Sequence, residues 1–464
     1  MSPEKAARKG VMIQPERIQV LQERPIGHGR YVLYWMQQSQ RAEFNPALDV
    51  AIEHANGLRK PVVAVFGLTS RFPEANLRHY VFMLEGLRET RKSLEQRGIQ
   101  LVVLLQPPVE AALSLSAEAS LVVADRGYLR IQRQWRQRVA EEARCPVIQV
   151  EGDVVVPVEV ASVKEEYGAR TLRPRIQRHL ERFLAELDER PVRMDSLGIR
   201  LQGLDLDDLD GILARLRIGR GVPAVRTFRG GTSEARRHLD AFLYEKLSSY
   251  SEESNDPSLN CVSHLSPYLH FGQISPVYVA LQVKRTKGIR SQNTEAFLEQ
   301  SIVRRELSMN FVFYNPQYDS FACLPDWAKK TLEKHRRDRR PYLYTETELE
   351  RAETHDPCWN AAQREMVTSG KMHNYMRMYW GKKILEWTEA PEEAFRIALA
   401  LNNKYELDGR DANGFTGVAW CFGKHDRPWK ERPVFGMVRY MNVEGLRRKF
   451  DMEAYVRSVD PPPF

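Results

Sequence analysis

Arg377, Trp380 and Trp387 lie on one stretch, "GKMHNYMRMYWGKKILEW" (370–387). A guanidinium is a permanent charge, and indoles can be oxidised transiently, so together they could hold a charged ligand and carry electrons. At about 100° per residue, His373, Arg377, Trp380, Ile384 and Trp387 fall on one narrow helical stripe. An aromatic stripe is ordinarily core. Arg377 is the awkward member, because an unpaired buried charge costs several kcal/mol, at roughly the scale of a broken buried pair. It therefore predicts an acidic partner.

The segment "LNNKYELDGRDANGFTGVAW" (401–420) offers one. Asp408-Gly409 and Asn413-Gly414 are turn signals, so this reads as a structured loop between helices. It presents Asp408 and Asp411 as acceptors, Asn402 and Asn413 as amides, and Trp420 as a flat surface. A calcium loop is excluded: with Gly414 at the glycine position, Gly409 and Trp420 would stand where Asp and Glu ligands are required. Upstream, "SSYSEESNDPSLNCVSHLSPYLHFGQIS" (248–275) clusters hydroxyls at Ser263 and Ser266 just before Pro267. Such a helix start can bind phosphate or can be a simple N-cap.

These residues need helices to position them. In "THDPCWNAAQREMVTSG", Asp356 caps a helix, Pro357 takes its first position, Trp359 its first turn, and Gly370 its left-handed end. The first third of the chain differs. Short β-branched runs at 31–36, 62–68, 101–105, 121–125 and 147–150 alternate with helical stretches. They predict a doubly wound α/β domain with a parallel sheet, and any ligand outside the carboxyl ends of its strands. No phosphate-loop signature follows the strands, since "GHGR" (27–30) precedes the first of them. The expected organisation is a flexible N-terminus (1–28), an α/β domain (29–155), a connector (156–235) and a helical domain (236–464). Six of the eight tryptophans lie beyond residue 326, which gives the helical half the special chemistry.

At 464 residues the chain should form two domains. No apolar run reaches the roughly 18 residues of a membrane span, and the basic start lacks a secretory core. A cytoplasmic protein is expected. The five cysteines are scattered without a CxxC, which argues for buried thiols and against a disulfide framework or a zinc site. Net charge is +8, and "KKTLEKHRRDRR" (329–340) sets seven basic residues against two acids. This permits a polyanionic partner, or merely a solvated helix face.

Taken together, "LSPYLHFGQIS", "THDPCWN", "GKMHNYMRMYWGKKILEW", "YELDGRDANGFTGVAW" and "KHDRPWKERPVFGMVRYM" resemble class II cyclobutane pyrimidine dimer photolyases of the photolyase/cryptochrome family. The N-terminal "YWMQQSQRAEFNPAL" is similar as well, and the motif order is kept over nearly the whole chain. The resemblance implies light-driven repair of UV-damaged double-stranded DNA, with FAD active as its reduced anion and a pyrimidine dimer flipped out of the duplex. It assigns Tyr250, Ser263, Leu265, Ser266, Arg377, Asn402, Asp408, Asp411 and Asn413 to the flavin. Arg377 and Asp408 become an ion pair beside it, and Asn402 the amide near its N5. Trp380, Trp359 and Trp387 become an electron relay. Trp420, Met378, Arg427 and Asn255 fall to the lesion and its DNA.

Two positions depart from the pattern. Ser254 stands where an arginine is usual. Gln300 replaces a second glutamate in "FLEQSIVRREL" and can donate a hydrogen bond to the dimer but no proton. Glu299 points about 100° away and should not substitute. A flavin photoreceptor of cryptochrome type is the alternative, disfavoured by a chain that ends at "VRSVDPPPF" without a long tail. A second antenna chromophore, deazaflavin or folate, is possible in the α/β domain. A monomer without a metal or an obligate protein partner is expected.

Overall fold

In the computed structural model, residues 13–459 are described. Expectations for residues 1–12 and for the end of the chain beyond 459 lie outside them. The six strands β1 (Ile18–Gln22), β2 (Tyr31–Trp35), β3 (Val62–Gly67), β4 (Gln100–Leu104), β5 (Ala119–Asp125) and β6 (Val147–Val150) form one sheet in the order β1-β6-β5-β2-β3-β4. Strands β2 to β6 are mutually parallel, and β1 joins β6 antiparallel at the edge. Every residue of β2, β3, β5 and β6 is buried. Helices cover both faces, which explains the unbroken apolar runs. The chain leaves β2 toward β3 on one side and returns to β5 on the other, so a topological switch point lies between β2 and β5.

Two features differ from the sequence-based expectation. Residues 18–22, assigned to a flexible start, form β1; its interleaved glutamines hid an edge strand. The stretch 156–235 is more than a connector. It contains an amphipathic helix that buries Leu172, Ile176 and Phe183, and beyond it Leu204 N–H bonds Val103 O at 2.8 Å along the outer edge of β4. Leu206 lies wholly within the sheet core.

The rest of the chain is mostly helical. The helices that matter here are α1 (Leu77–Gln96), packed on the sheet, then α2 (Arg305–Tyr314), α3 (Pro357–Ser369), α4 (Asn374–Trp387), α5 (Pro391–Tyr405) and α6 (Ala412–Cys421). Asp356 accepts from Cys358 N–H and Trp359 N–H at the start of α3, and Gly370 ends it at φ 75°, as the sequence predicts. Helix α4 is buried nearly all round, so its aromatic stripe is one part of a central element.

Buried charges lock the helical part onto the sheet. Arg78 on α1 donates to the carbonyls of Tyr405 (2.6 Å), Val367 (2.8 Å), Pro223 (3.2 Å) and Met366 (3.4 Å). Arg41 bridges the carbonyls of Gly152 and Gly272, both at 3.0 Å. Gly272 sits at φ 64°, and a Cβ there would strike Gln38 O at 1.9 Å. Arg305 on α2 pairs with Asp153 at 2.7 Å, and Glu306 receives the N–H groups of Val155 and Val156. Replacing Arg78 with Met should leave several buried carbonyls without donors. Each costs about 1–3 kcal/mol, so urea unfolding should report a loss of about 3–5 kcal/mol.

Candidate active site

The site grows from three chain segments that meet around α4. At the helix entry, His373 Nδ1 accepts from Tyr375 N–H, and burial holds the ring pKa down to about 4, so it is neutral. One turn later Arg377 points into the loop after α5. Its partner differs in part from the one sequence spacing names. Nη2 lies 3.0 Å from Glu406 Oε1 and 3.5 Å from Asp408 Oδ1. Asp408 is therefore a partner, but Glu406 is nearer and is wholly buried. Sequence reading passed over Glu406, although it stands four residues after Asn402 at the end of the same helix.

From the third segment, Ser266 opens the short helix Ser266–His270. Its hydroxyl accepts from Lys371 Nζ at 2.9 Å, and Ser266 hydrogen-bonds the Asp408 carboxyl. It is thus a member of the charge cluster and not an N-cap. Burial favours the neutral forms here. It pushes Glu406 up to about 8 against the pull of Arg377, and it lowers Lys371. Asp408 is buried too, yet Arg377, Lys371 and Ser266 outweigh burial and hold it below the usual carboxylate range.

The remaining expected flavin residues surround this cluster. Asn402 is buried and its Nδ2 reaches Asn403 Oδ1 at 3.2 Å. Asp411 caps α6, takes Asn413 Nδ2 at 2.9 Å and lies 3.5 Å from His270. Leu265 and Tyr250 are buried, the latter edge-on to Phe297, and Ser263 is half-buried. The cluster has room for a polar ligand's partners. Glu406 Oε2, Asp408 Oδ1, Arg377 Nε and His373 Nε2 are buried without a hydrogen-bonding partner. Native proteins seldom leave such atoms unmatched, and these donors and acceptors fit the polar edge of a flavin.

Behind Arg377, the three tryptophans form a continuous line. Trp380 and Trp359 are nearly parallel, with ring centroids 6.4 Å apart, and Trp359 meets Trp387 edge-on at 5.6 Å. All three are buried. Trp359 Nε1 donates to Trp380 O at 3.0 Å, and Trp380 Nε1 to Gln363 Oε1 at 2.8 Å. Trp387 abuts His355, which is exposed. The line therefore runs from the charge cluster's helix toward solvent.

The expected lesion residues are less tightly gathered. Half-buried Trp420 packs against buried Lys382 (Nζ 5.0 Å from the ring centroid) and Arg439 (5.5 Å). Met378 lies on α4, and its carbonyl is 3.8 Å from Cys421 Sγ. Arg427 covers the exposed Trp429 ring at 5.3 Å. Asn255 and Gln300 are exposed, and Gln300 falls in a π-helical stretch, Glu299–Arg304. Glu299 is paired with Arg173 at 2.7 Å.

In the basic run 329–340, three of the seven Lys and Arg side chains are held in ion pairs. Lys334 and His335 bind Glu431, Arg336 binds Glu333 and Glu392, and Lys329 binds Asp326. All five cysteines are buried and unpaired. Among the described residues, no helix is long and apolar enough to cross a membrane.

A second cavity, of about 110 Å³, opens beyond the carboxyl ends of β2 and β3, beside the switch point, and reaches His270 and Asp411. Phe66, Phe72, Trp135 and Tyr80 give it apolar walls, while Gln38 and Arg410 give it polar points. The sequence rule for sheet ligands anticipates this position.

Asp356 secures the tryptophan line, since it caps α3 and also accepts from the Tyr379 hydroxyl of α4. Asp356→Ala should destabilise the protein by about 3 kcal/mol, combining a lost cap with an unsatisfied buried hydroxyl. Thermal or urea unfolding measures it.

Comparison with known proteins matches this architecture. Residues 32–192 match the DNA photolyase family model. The chain is 54% identical to the deoxyribodipyrimidine photo-lyase of Methanothermobacter thermautotrophicus, covering 97% of this chain and 99% of that one. It is 42% identical to the deoxyribodipyrimidine photo-lyase of Oryza sativa subsp. japonica, over 93% and 88%. In fold it is similar to a class III photolyase from Agrobacterium tumefaciens, with a TM-score of 0.73 at 20% identity, over 93% and 87% of the two chains. With a sheet layer, a helical remainder and full-length relatives of this kind, the chain belongs to the photolyase/cryptochrome family.

Proposed function

We propose that the protein is a class II cyclobutane pyrimidine dimer photolyase, a light-driven lyase that repairs UV-damaged DNA. The observation that carries this reading is identity of 54% over essentially the full length of a deoxyribodipyrimidine photo-lyase, in a chain with a buried polar cluster beside a tryptophan line. FAD, when bound as its reduced anion, absorbs near-UV or blue light and supplies the electron that splits the dimer.

The chain's own residues do the rest. Arg377, Asp408, Ser266, Tyr250, Ser263, Leu265, Asp411 and Asn413 hold and orient the cofactor. Arg377 offers a fixed positive charge that favours an anionic ring, and the Asn402 amide serves its N5 edge. Trp380, Trp359 and Trp387 carry electrons inward from the surface, their close ring contacts and dry surroundings suiting transient oxidation. Trp420 and Met378 present an aromatic and a thioether surface to a flipped dimer. Arg427 and Asn255 meet the opened duplex, and damage lowers the cost of opening it. Gln300 donates an amide hydrogen bond where a carboxylic acid could also give a proton.

The sheet region, 29–155, would serve as an antenna domain and the helical region, 236–464, as the catalytic domain. The second cavity's aromatic walls suit a planar chromophore, deazaflavin or folate. A monomer in the cytoplasm is the accompanying reading.

The reduced protein should remove thymine dimers from DNA under blue light and not in darkness. Full flavin loading without light-dependent removal would overturn the reading. Trp359→Phe should slow photoreduction at least tenfold while pre-reduced protein still repairs, and unchanged photoreduction would remove Trp359 from the relay. Gln300→Glu should raise the repair yield per absorbed photon; a lower or equal yield would show that the amide suffices.

A further inference from the structure

Glu406 and Asp408 form an acid pair of a particular kind. Arg377 Nη2 bridges them, 3.0 Å from Glu406 Oε1 and 3.5 Å from Asp408 Oδ1, and Glu406 Oε2 is buried without a hydrogen-bonding partner. Two carboxylates held on one guanidinium nitrogen repel each other, and one retained proton removes that repulsion. The surroundings agree. Glu406 Oε1 takes Arg377 and, at 3.1 Å, the Met372 N–H. Glu365 accepts from His373 N–H at 3.2 Å and from the Tyr455 hydroxyl at 2.6 Å. Lys371 reaches Asp408 through Ser266. Three carboxyls, Glu365, Glu406 and Asp408, thus face two cations, Arg377 and Lys371. One retained proton makes the cluster neutral. His79, whose ring meets Glu406 O at 3.0 Å, adds no charge because burial holds it neutral. Arg78 is spent on backbone carbonyls, Tyr405 O among them, and buried Arg410 and Asp411, which both face Asp408, offset each other in charge.

We propose that Glu406 and Asp408 share one proton, and that this proton is the charge balance of the flavin site, retained when the ligand against Arg377 is anionic and released to solvent when that ligand is neutral. The inference rests on the flavin reading of Arg377. Glu406 is here a positioning residue for charge. Reduction of FAD to its anion takes two electrons from an added reductant and one proton onto the ring, and the pair takes up a second proton from solvent.

The sign follows from burial, which raises the Glu406 pKa to about 8. Below that pH the pair holds its proton and tolerates a reduced, anionic flavin. Above it a second negative charge stands beside the cofactor, and the reduced form loses ground. For one linked proton, the affinity ratio of reduced over oxidised flavin should fall about tenfold per pH unit beyond the break.

Two measurements test this. Infrared difference spectra of the wild-type protein between pH 7 and 10 should contain the band of a solvent-shielded protonated carboxylic acid. That band should be lost as pH rises and be absent in Glu406→Gln. The midpoint potential of bound FAD should break toward lower values in the alkaline range in wild type, and this break should vanish in Glu406→Gln and Asp408→Asn. A missing band, or an unchanged potential profile in the folded variants, would overturn the proposal. If neither variant folds, the wild-type infrared titration decides alone. A protein that binds no FAD would instead refute the flavin reading, which its absorption spectrum reports separately.

Discussion

The largely buried guanidinium of Arg377 is the constraint around which this helical half is arranged. It sits on the central helix with its side chain 16% exposed and its Nε buried, so the fold must answer that charge with acceptors. Glu406 and Asp408 do so from one loop, and Lys371 and Ser266 complete the cluster from two others. That requirement fixes where the chain after α5 must turn. It also sets α6 against α4, which brings Trp420 over Lys382 on the helix that carries Trp380 and Trp387.

The same helix explains why the tryptophan line and the charge cluster lie back to back. Residues one turn apart share a face, so Arg377 and Trp380 are neighbours by geometry. Trp359 reaches the line because the Asp356 cap fixes the first turn of α3 against α4. The sheet contributes by holding these helices in place. Arg78 bonds four carbonyls, and His79 touches the backbone of Glu406. A change on α1 can therefore be felt at the charge cluster.

Much of this was legible in the sequence, for identifiable reasons. Five parallel strands announced themselves because burial on both faces demands unbroken apolar runs. The Asp356 and Gly370 signals marked helix ends because their backbone chemistry is local. The antiparallel edge strand escaped because one solvent-facing side permits glutamines at Gln19 and Gln22. The helix at 169–183 escaped because its arginines and an internal proline masked the spacing of Leu172, Ile176 and Phe183. Glu406 escaped for a different reason. An acid at a helix end reads as surface, and only three-dimensional packing reveals that it is buried against Arg377. Trp420 was expected in the loop segment, but its two cationic neighbours come from distant positions that spacing cannot relate.

The most direct test of this account is the affinity for FAD when the central charge is removed. Fluorescence titration should give tight, one-to-one binding for the wild-type protein and at least a hundredfold weaker binding for Arg377→Met, with the fold intact by circular dichroism. Equal affinity in a folded Arg377→Met protein would contradict it.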